Sequence, residues 1–144
     1  MKLIVQNKKA HFNYNLLESY EVGIELKGVE VKSIQKGNVS INEAYVFFKK
    51  NEAFIINMNI SPYDHGNIHN VNPIRERKLL LHKKEIIKLQ HIAKKDSLTI
   101  IPYKIYWKHN KIKLLIYLAK GKKLFDKRET IKKRDEERSA KNIN

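Results

Sequence analysis

The chain has 144 residues, with 30 Lys and Arg against 15 Asp and Glu, a formal charge of +15, and no Cys. That length suits one domain around one core, and the lack of Cys excludes disulfides, thiolate chemistry and Cys-based zinc sites while allowing a reducing cytoplasm. Surplus cationic surface attracts polyanions over a Debye length, which puts nucleic acid first among partner classes; an AT-rich genome would also enrich Lys, Ile and Asn, so the placement of the charges has to decide.

The start, MKLIVQNKK, offers one Lys, a short apolar run and no small-residue cleavage site, too little for a signal peptide or a membrane span. The expectation is a cytoplasmic protein with no membrane partner. Tyr20 to Leu26 predicts a strand with Val22, Ile24 and Leu26 on one side. Val29 to Lys36 predicts a short helix with Val31 and Ile34 on one face, and Gly37 is placed to end it in a left-handed conformation. AYVFFK and AFIINM predict a hairpin across Lys50-Asn51-Glu52, because Asn tolerates the positive φ of a tight turn.

Between His82 and Lys95 the apolar residues Ile86, Ile87, Leu89, Ile92 and Ala93 fall at helical spacing, and Glu85 stands where the acidic half of a capping box would. Thr99 to Lys108 alternates, with Ile101, Tyr103, Ile105 and Trp107 assigned to one face and Lys104 and Lys108 to the other. After His109-Asn110 the alternation resumes through Ile112, Leu114, Ile116 and Leu118, so the two runs predict a hairpin closed at that dipeptide. Tyr103, Ile105 and Trp107 are read as core rather than as a stacking platform. Several strands with two or three short helices describe a mainly β fold, a small antiparallel β-barrel with helical cover.

The character changes near Gly121. Residues 1–121 are expected to form the barrel domain and residues 122–144 a basic tail, where Leu124, Phe125 and Ile131 are the sizeable apolar residues before Ile143. Such a segment buries too little apolar area to offset its ordering entropy. With the Glu129/Lys133 pair and no Pro or Gly after Gly121 it is expected to be disordered when free and helical when bound.

Candidate contact residues follow the charges. Arg75, Arg77 and Lys78 precede three leucines; each Arg presents a fork suited to phosphate, and the competing reading is a solvated loop pairing with Glu76. Lys120, Lys122, Lys123, Lys127 and Arg128 gather around Phe125, combining phosphate attraction with a ring for stacking. Asp64, His65 and His69 have a passable metal spacing, but Gly66 and Asn67 mark a loop, and no metal is expected. Glu18, Glu21, Glu25 and Glu30 are read as exposed carboxylates rather than a nuclease cluster. No phosphate-binding glycine loop, HExxH, nucleophile elbow or Cys nucleophile is present.

Specific strings then add a resemblance. Asn7-Lys8-Lys9-Ala10, Glu21-Val22-Gly23-Ile24, Gly28-Val29-Glu30-Val31-Lys32-Ser33, the run Asn72 to Leu81, Ala119-Lys120-Gly121-Lys122-Lys123 and Asp126-Lys127-Arg128 occur in order, and together they make the chain resemble the SmpB (SsrA-binding protein) family from Asn7 into the tail. The resemblance implies an OB-like barrel with flanking helices that binds the tRNA-like domain of transfer-messenger RNA (tmRNA, or SsrA RNA) and brings it to the A site of stalled ribosomes for trans-translation. It implies no enzymatic activity, no cofactor and a monomer in the free state.

By position, the resemblance implies that Glu21, Leu80 and Lys113 serve RNA binding, with Asn7, Lys8, Lys9, Lys32, Arg75, Arg77, Lys78 and His82 also assigned to the RNA. Glu21 would act by hydrogen bonding or by orienting a basic neighbour, since a carboxylate repels phosphate. It implies that Lys120, Lys122, Lys123, Phe125, Asp126, Lys127, Arg128, Lys132, Lys133 and Arg134 serve the small-subunit decoding centre and the empty mRNA channel. This chain departs from the family pattern at His82, where Asn is usual, at His11-Phe12, in place of Arg-His, and at Phe125, which keeps a ring face but loses a hydrogen-bonding edge. The alternatives are a generic OB-fold RNA-binding protein of the translation machinery, without preference for a tRNA-like shape, and a metal-dependent nuclease.

Overall fold

The computed structural model describes residues 1–62 and 71–122. In chain order they form β1 (Lys2–Gln6), α1 (Ala10–Asn13), β2 (Tyr14–Ile24), α2 (Gly28–Gln35), β3 (Val39–Ser40), β4 (Tyr45–Lys49), β5 (Glu52–Ile56), β6 (Asn59–Ile60), β7 (Arg77–Leu80), α3 (Lys83–Lys95), β8 (Thr99–Lys108) and β9 (Lys111–Gly121). Every strand pairing is antiparallel. Following the ladder from β8 through β4, β5, β7, β2 and β9 leads back to β8, so these strands close a barrel. The closing contacts are short, with β2 meeting β7 at Gly23–Leu80 and Ile24–Leu79 and β4 meeting β8 at Val46–Ile100. Strand β8 is shared: Lys104 to Trp107 pair with β1, Ile100 with β4, and its other edge with β9. Strands β3 and β6 form a separate small sheet.

Both expected hairpins are present, and both turns are two residues long. Lys50 and Asn51 have φ of 52° and 60°, and His109 and Asn110 have 51° and 59°. Paired positive φ values match the right-handed twist of the flanking strands. On β9, Ile112, Leu114, Ile116 and Leu118 all point into one core, as the alternation predicts. That core also takes Ile34 from α2 and Ile86 and Leu89 from α3, and each fully buried Ile or Leu contributes roughly 1.5–3 kcal/mol. Gly37, with φ of 79°, ends α2: its N–H donates to Ile34 O and that of Asn38 to Ser33 O. In α3 the His82 N–H donates to Glu85 Oε1 at 3.1 Å, the acidic half of the expected capping box. The mainly β, OB-like antiparallel barrel with short flanking helices is thus the observed fold.

Three expectations need correction. The ladder of β8 shifts between Pro102 and Lys104, and the extra residue reverses the inside-outside parity of the strand. Ile105 and Trp107 therefore pack on the main core, whereas Ile101 and Tyr103 belong to a second cluster with Ala10 and Ala119; the four do not share a face. In α3, Ile87 is exposed while Ile86 and Leu89 are buried, because the neighbour of a buried residue lies about 100° around the helix. Strand β2 begins at Tyr14, six residues before Tyr20, and ends before Leu26, which still packs on the core. The tail from Lys123 onward, Asp64, His65 and His69 lie outside the described residues.

Candidate nucleic-acid interface

Three residues distant in sequence become neighbours on the outer face of the barrel. Gly23 on β2 is in register with Leu80 on β7 and with Lys113 on β9. Having no side chain, Gly23 lets Leu80 lie across it; a Cβ there would stand 3.2 Å from Leu80 Cδ1. Leu80 is 54% exposed, which leaves an apolar side chain open on the outer face.

Glu21 lies two residues before Gly23 and therefore on the same face. Its Oε2 accepts the Tyr106 hydroxyl at 2.5 Å, and Lys108 Nζ approaches both of its oxygens, at 3.3 and 3.2 Å. The Tyr106 hydrogen bond outweighs partial burial and, with Lys108 and nearby Lys113, holds the Glu21 carboxyl below the usual range. Burial and the same carboxylate raise the Tyr106 phenol. Glu21 thus stays ionised, fixes Tyr106 and Lys108, and has its charge offset by lysines. Strand β7 carries Lys78 on the same side as Leu80, with Lys78 Nζ 3.3 Å from Glu52 Oε1, and His82 follows at the exposed start of α3.

The arginines behave differently. Arg77 is fully buried, its Nε donating to Glu30 Oε2 at 2.6 Å, Nη1 to Met58 O at 2.6 Å and Nη2 to Pro73 O at 2.9 Å. Arg75 grips the same carboxylate, from Nη2 to Oε1 at 2.5 Å and from Nε to Oε2 at 3.2 Å. The forks expected for phosphate are directed inward, tying β7 and the loop before it to α2. Glu30, read as an exposed carboxylate, is 2% exposed; burial raises its pKa, but hydrogen bonds from Arg75, the Lys27 N–H and Arg77 outweigh this and keep it below the usual range. Sequence reading missed this cluster because the ion pair joins residues 45 and 47 positions apart.

Asn7 is also buried. It receives the Lys9 N–H on Oδ1 and donates to Pro102 O, so its side chain organises the start of α1. Lys8 and Lys9 are exposed beside it, and Lys32 is exposed on α2. Lys120 pairs in register with Asn15, and the Lys122 N–H donates to Asn13 O at 2.9 Å. Lys8, Lys9, Lys120 and Lys122 sit near the α1 end of β9, Lys120 about 23 Å along the strand from Lys113, taking seven residues at roughly 3.3 Å. The structure therefore divides the expected RNA residues between two places.

Comparison with known proteins shows the family. The family model "SmpB protein" matches residues 4–144. The chain belongs to the SmpB family. It is 66% identical over 140 residues to the SsrA-binding protein of Malacoplasma penetrans (strain HF-2), covering 97% of this chain and 96% of that one. It is 52% identical to the SsrA-binding protein of Caldicellulosiruptor saccharolyticus, covering 95% and 87%. A solved structure described as "tmRNA-SmpB: a journey to the center of the bacterial ribosome" superposes with a TM-score of 0.70 at 42% identity, covering 83% of this chain and 85% of that one. Among the described residues, no helix is long and apolar enough to cross a membrane, and no group of His, Asp or Glu is placed to hold a metal ion.

Proposed function

We propose that this SmpB-family protein is an RNA-binding adaptor that binds the tRNA-like domain of tmRNA and delivers it to the A site of stalled ribosomes; relatives named SsrA-binding protein and a solved structure described as tmRNA-SmpB in the bacterial ribosome support the reading. The observation that carries the reading is the meeting of Leu80, Gly23 and Lys113 beside Glu21 on one exposed face. Lys113 supplies phosphate attraction, Leu80 an apolar contact for a ribose or base, and Glu21 orients Lys108. A structured RNA is held through its shape by such a face, with binding as the whole activity and the cytoplasm as its setting.

In this reading residues 1–121 are the RNA-binding domain and residues 122–144 the segment that probes the decoding centre and empty mRNA channel, with Phe125 stacking on ribosomal RNA. Phe125→Ala then impairs ribosome rescue while leaving tmRNA affinity nearly intact. The deciding experiment is titration at physiological salt with the tRNA-like domain of tmRNA and, in parallel, with an ordinary tRNA of similar size. Markedly tighter binding to the former supports the adaptor; equal affinities favour a generic OB-fold RNA-binding protein.

A further inference from the structure

Beside the Leu80–Lys113 row the surface opens into a pocket of about 270 Å³. Its inner wall is apolar, built from Ile24 and Leu26 at the end of β2, Val31 of α2, Ile112 of β9 and the indole of Trp107. Its rim carries Lys111 and Lys113. Gly23 and Leu80 line it as well, so the pocket and the outer row share three residues, Gly23, Leu80 and Lys113. Its volume lies just under the roughly 300–1,000 Å³ of sites for drug-sized ligands, which suits one planar group rather than a strand.

We propose that this pocket receives a single unstacked nucleobase of the RNA lying on the Leu80–Lys113 face; the inference rests on the RNA-binding reading above. The separation of chemistries carries it. A phosphate moved onto the aliphatic wall would lose its hydration without a partner, whereas a base is uncharged and presents an apolar face. With cations at the mouth and an indole inside, the sugar-phosphate stays on Lys111 and Lys113 while the base turns inward against Trp107. Single-stranded loops of structured RNA supply such bases, and aromatic side chains are their usual platforms. Trp107 is half-buried against the core, which fixes the ring before any ligand arrives. Trp107 thus passes from a core residue to a base-contacting one.

Trp107 is the single tryptophan of the chain, so the full-length protein reports on its own pocket. The tRNA-like domain of tmRNA is titrated while tryptophan emission is followed, with binding measured independently by anisotropy of labelled RNA. Inorganic polyphosphate, which offers charge without bases, is titrated in parallel. The expected result is a saturable change in emission with the RNA and none with polyphosphate. RNA that binds by anisotropy while emission stays constant, or polyphosphate that changes emission equally, overturns the pocket and leaves the adaptor reading standing. RNA that fails to bind at all overturns both.

Val31→Phe, which fills the pocket from α2, provides a second measurement. It is expected to weaken RNA binding roughly tenfold, about 1.4 kcal/mol, without changing the salt dependence, because the phosphate contacts persist. Unaltered affinity in a folded Val31→Phe variant overturns the proposal, as does a loss that comes entirely from a reduced salt slope.

Discussion

Arg77 in β7 donates its Nε to Glu30 in α2 at 2.6 Å, and both side chains are almost wholly withdrawn from solvent. A buried ion left without its partner keeps the full cost of desolvation, whereas an intact pair offsets much of it. Glu30→Ala is therefore expected to destabilise the barrel by about 3–5 kcal/mol, read from the midpoint of urea unfolding. The effect should be larger than that of Glu52→Ala, which breaks the half-exposed pair with Lys78.

The same carboxylate sets an acid limit. Unfolded, Glu30 titrates near the ordinary glutamate value of about 4.3; folded, its pKa is lower. Its contribution is complete above the unfolded pKa and is lost as pH falls through the folded one. Stability measured in urea should decline on acidification below about pH 4.3, and Glu30→Gln, less stable at neutral pH, should show a shallower decline.

Gly23 tests the outer row without touching a charge. In Gly23→Ala the new methyl meets Leu80 at 3.2 Å from Cδ1 and 3.3 Å from Cβ. The flexible tip can turn aside, but the Cβ contact requires the strands to shift slightly. The expected result is a loss of about 1 kcal/mol in stability together with weaker RNA binding. Leu80→Ala should lower affinity similarly while changing stability by only about 0.5 kcal/mol. Chemical unfolding and RNA titration of both variants separate the two effects.

Lys113→Ala removes one cation from the same face. RNA affinity should fall for every RNA tested, and the slope of log K against log salt should become shallower by about 1. An unchanged slope would mean that Lys113 contacts no phosphate.

The turn between β4 and β5 offers a gain. Lys50 and Asn51 both hold positive φ, which costs little for Asn or Gly and more for Lys. Replacing the pair by Asn-Gly is expected to stabilise the protein by about 0.5–1 kcal/mol, measured by thermal unfolding, with RNA binding unaltered.

The parts of this fold legible in the sequence are those governed by local periodicity. The β8–β9 hairpin could be read because Ile112, Leu114, Ile116 and Leu118 alternate without a break, and α2 because Gly37 marks its end. The bulge at Pro102–Lys104 was not legible, since it depends on how β8 meets its partners. Strand β1 carries the β-branched pair Ile4 and Val5, a strand signal, but five residues beside a lysine-rich stretch give too short a pattern to stand alone. At the site, composition and periodicity show Leu80 and Lys113 only as a leucine in a leucine run and a lysine among lysines; the family resemblance names them, and register with Gly23 shows that they meet. Arg77 shows the opposite case, a cation that composition assigns to the surface and a distant glutamate draws inside.

Strand β9 carries Lys113 near one end and Lys120 near the other. Seven residues of a ladder bonded on both sides, to β2 and to β8, make that separation a fixed length. The strand acts as a ruler with two readable settings. Seven is odd, so the two lysines leave the strand on opposite faces; adding one residue between them would bring both to one face, while adding two would keep the present arrangement and lengthen the span by roughly 6.6 Å. The distance between the outer row and the far end of β9 is therefore adjustable, with the relative facing of the two lysines kept, only in steps of two residues, a constraint imposed by the pleat and independent of side-chain chemistry.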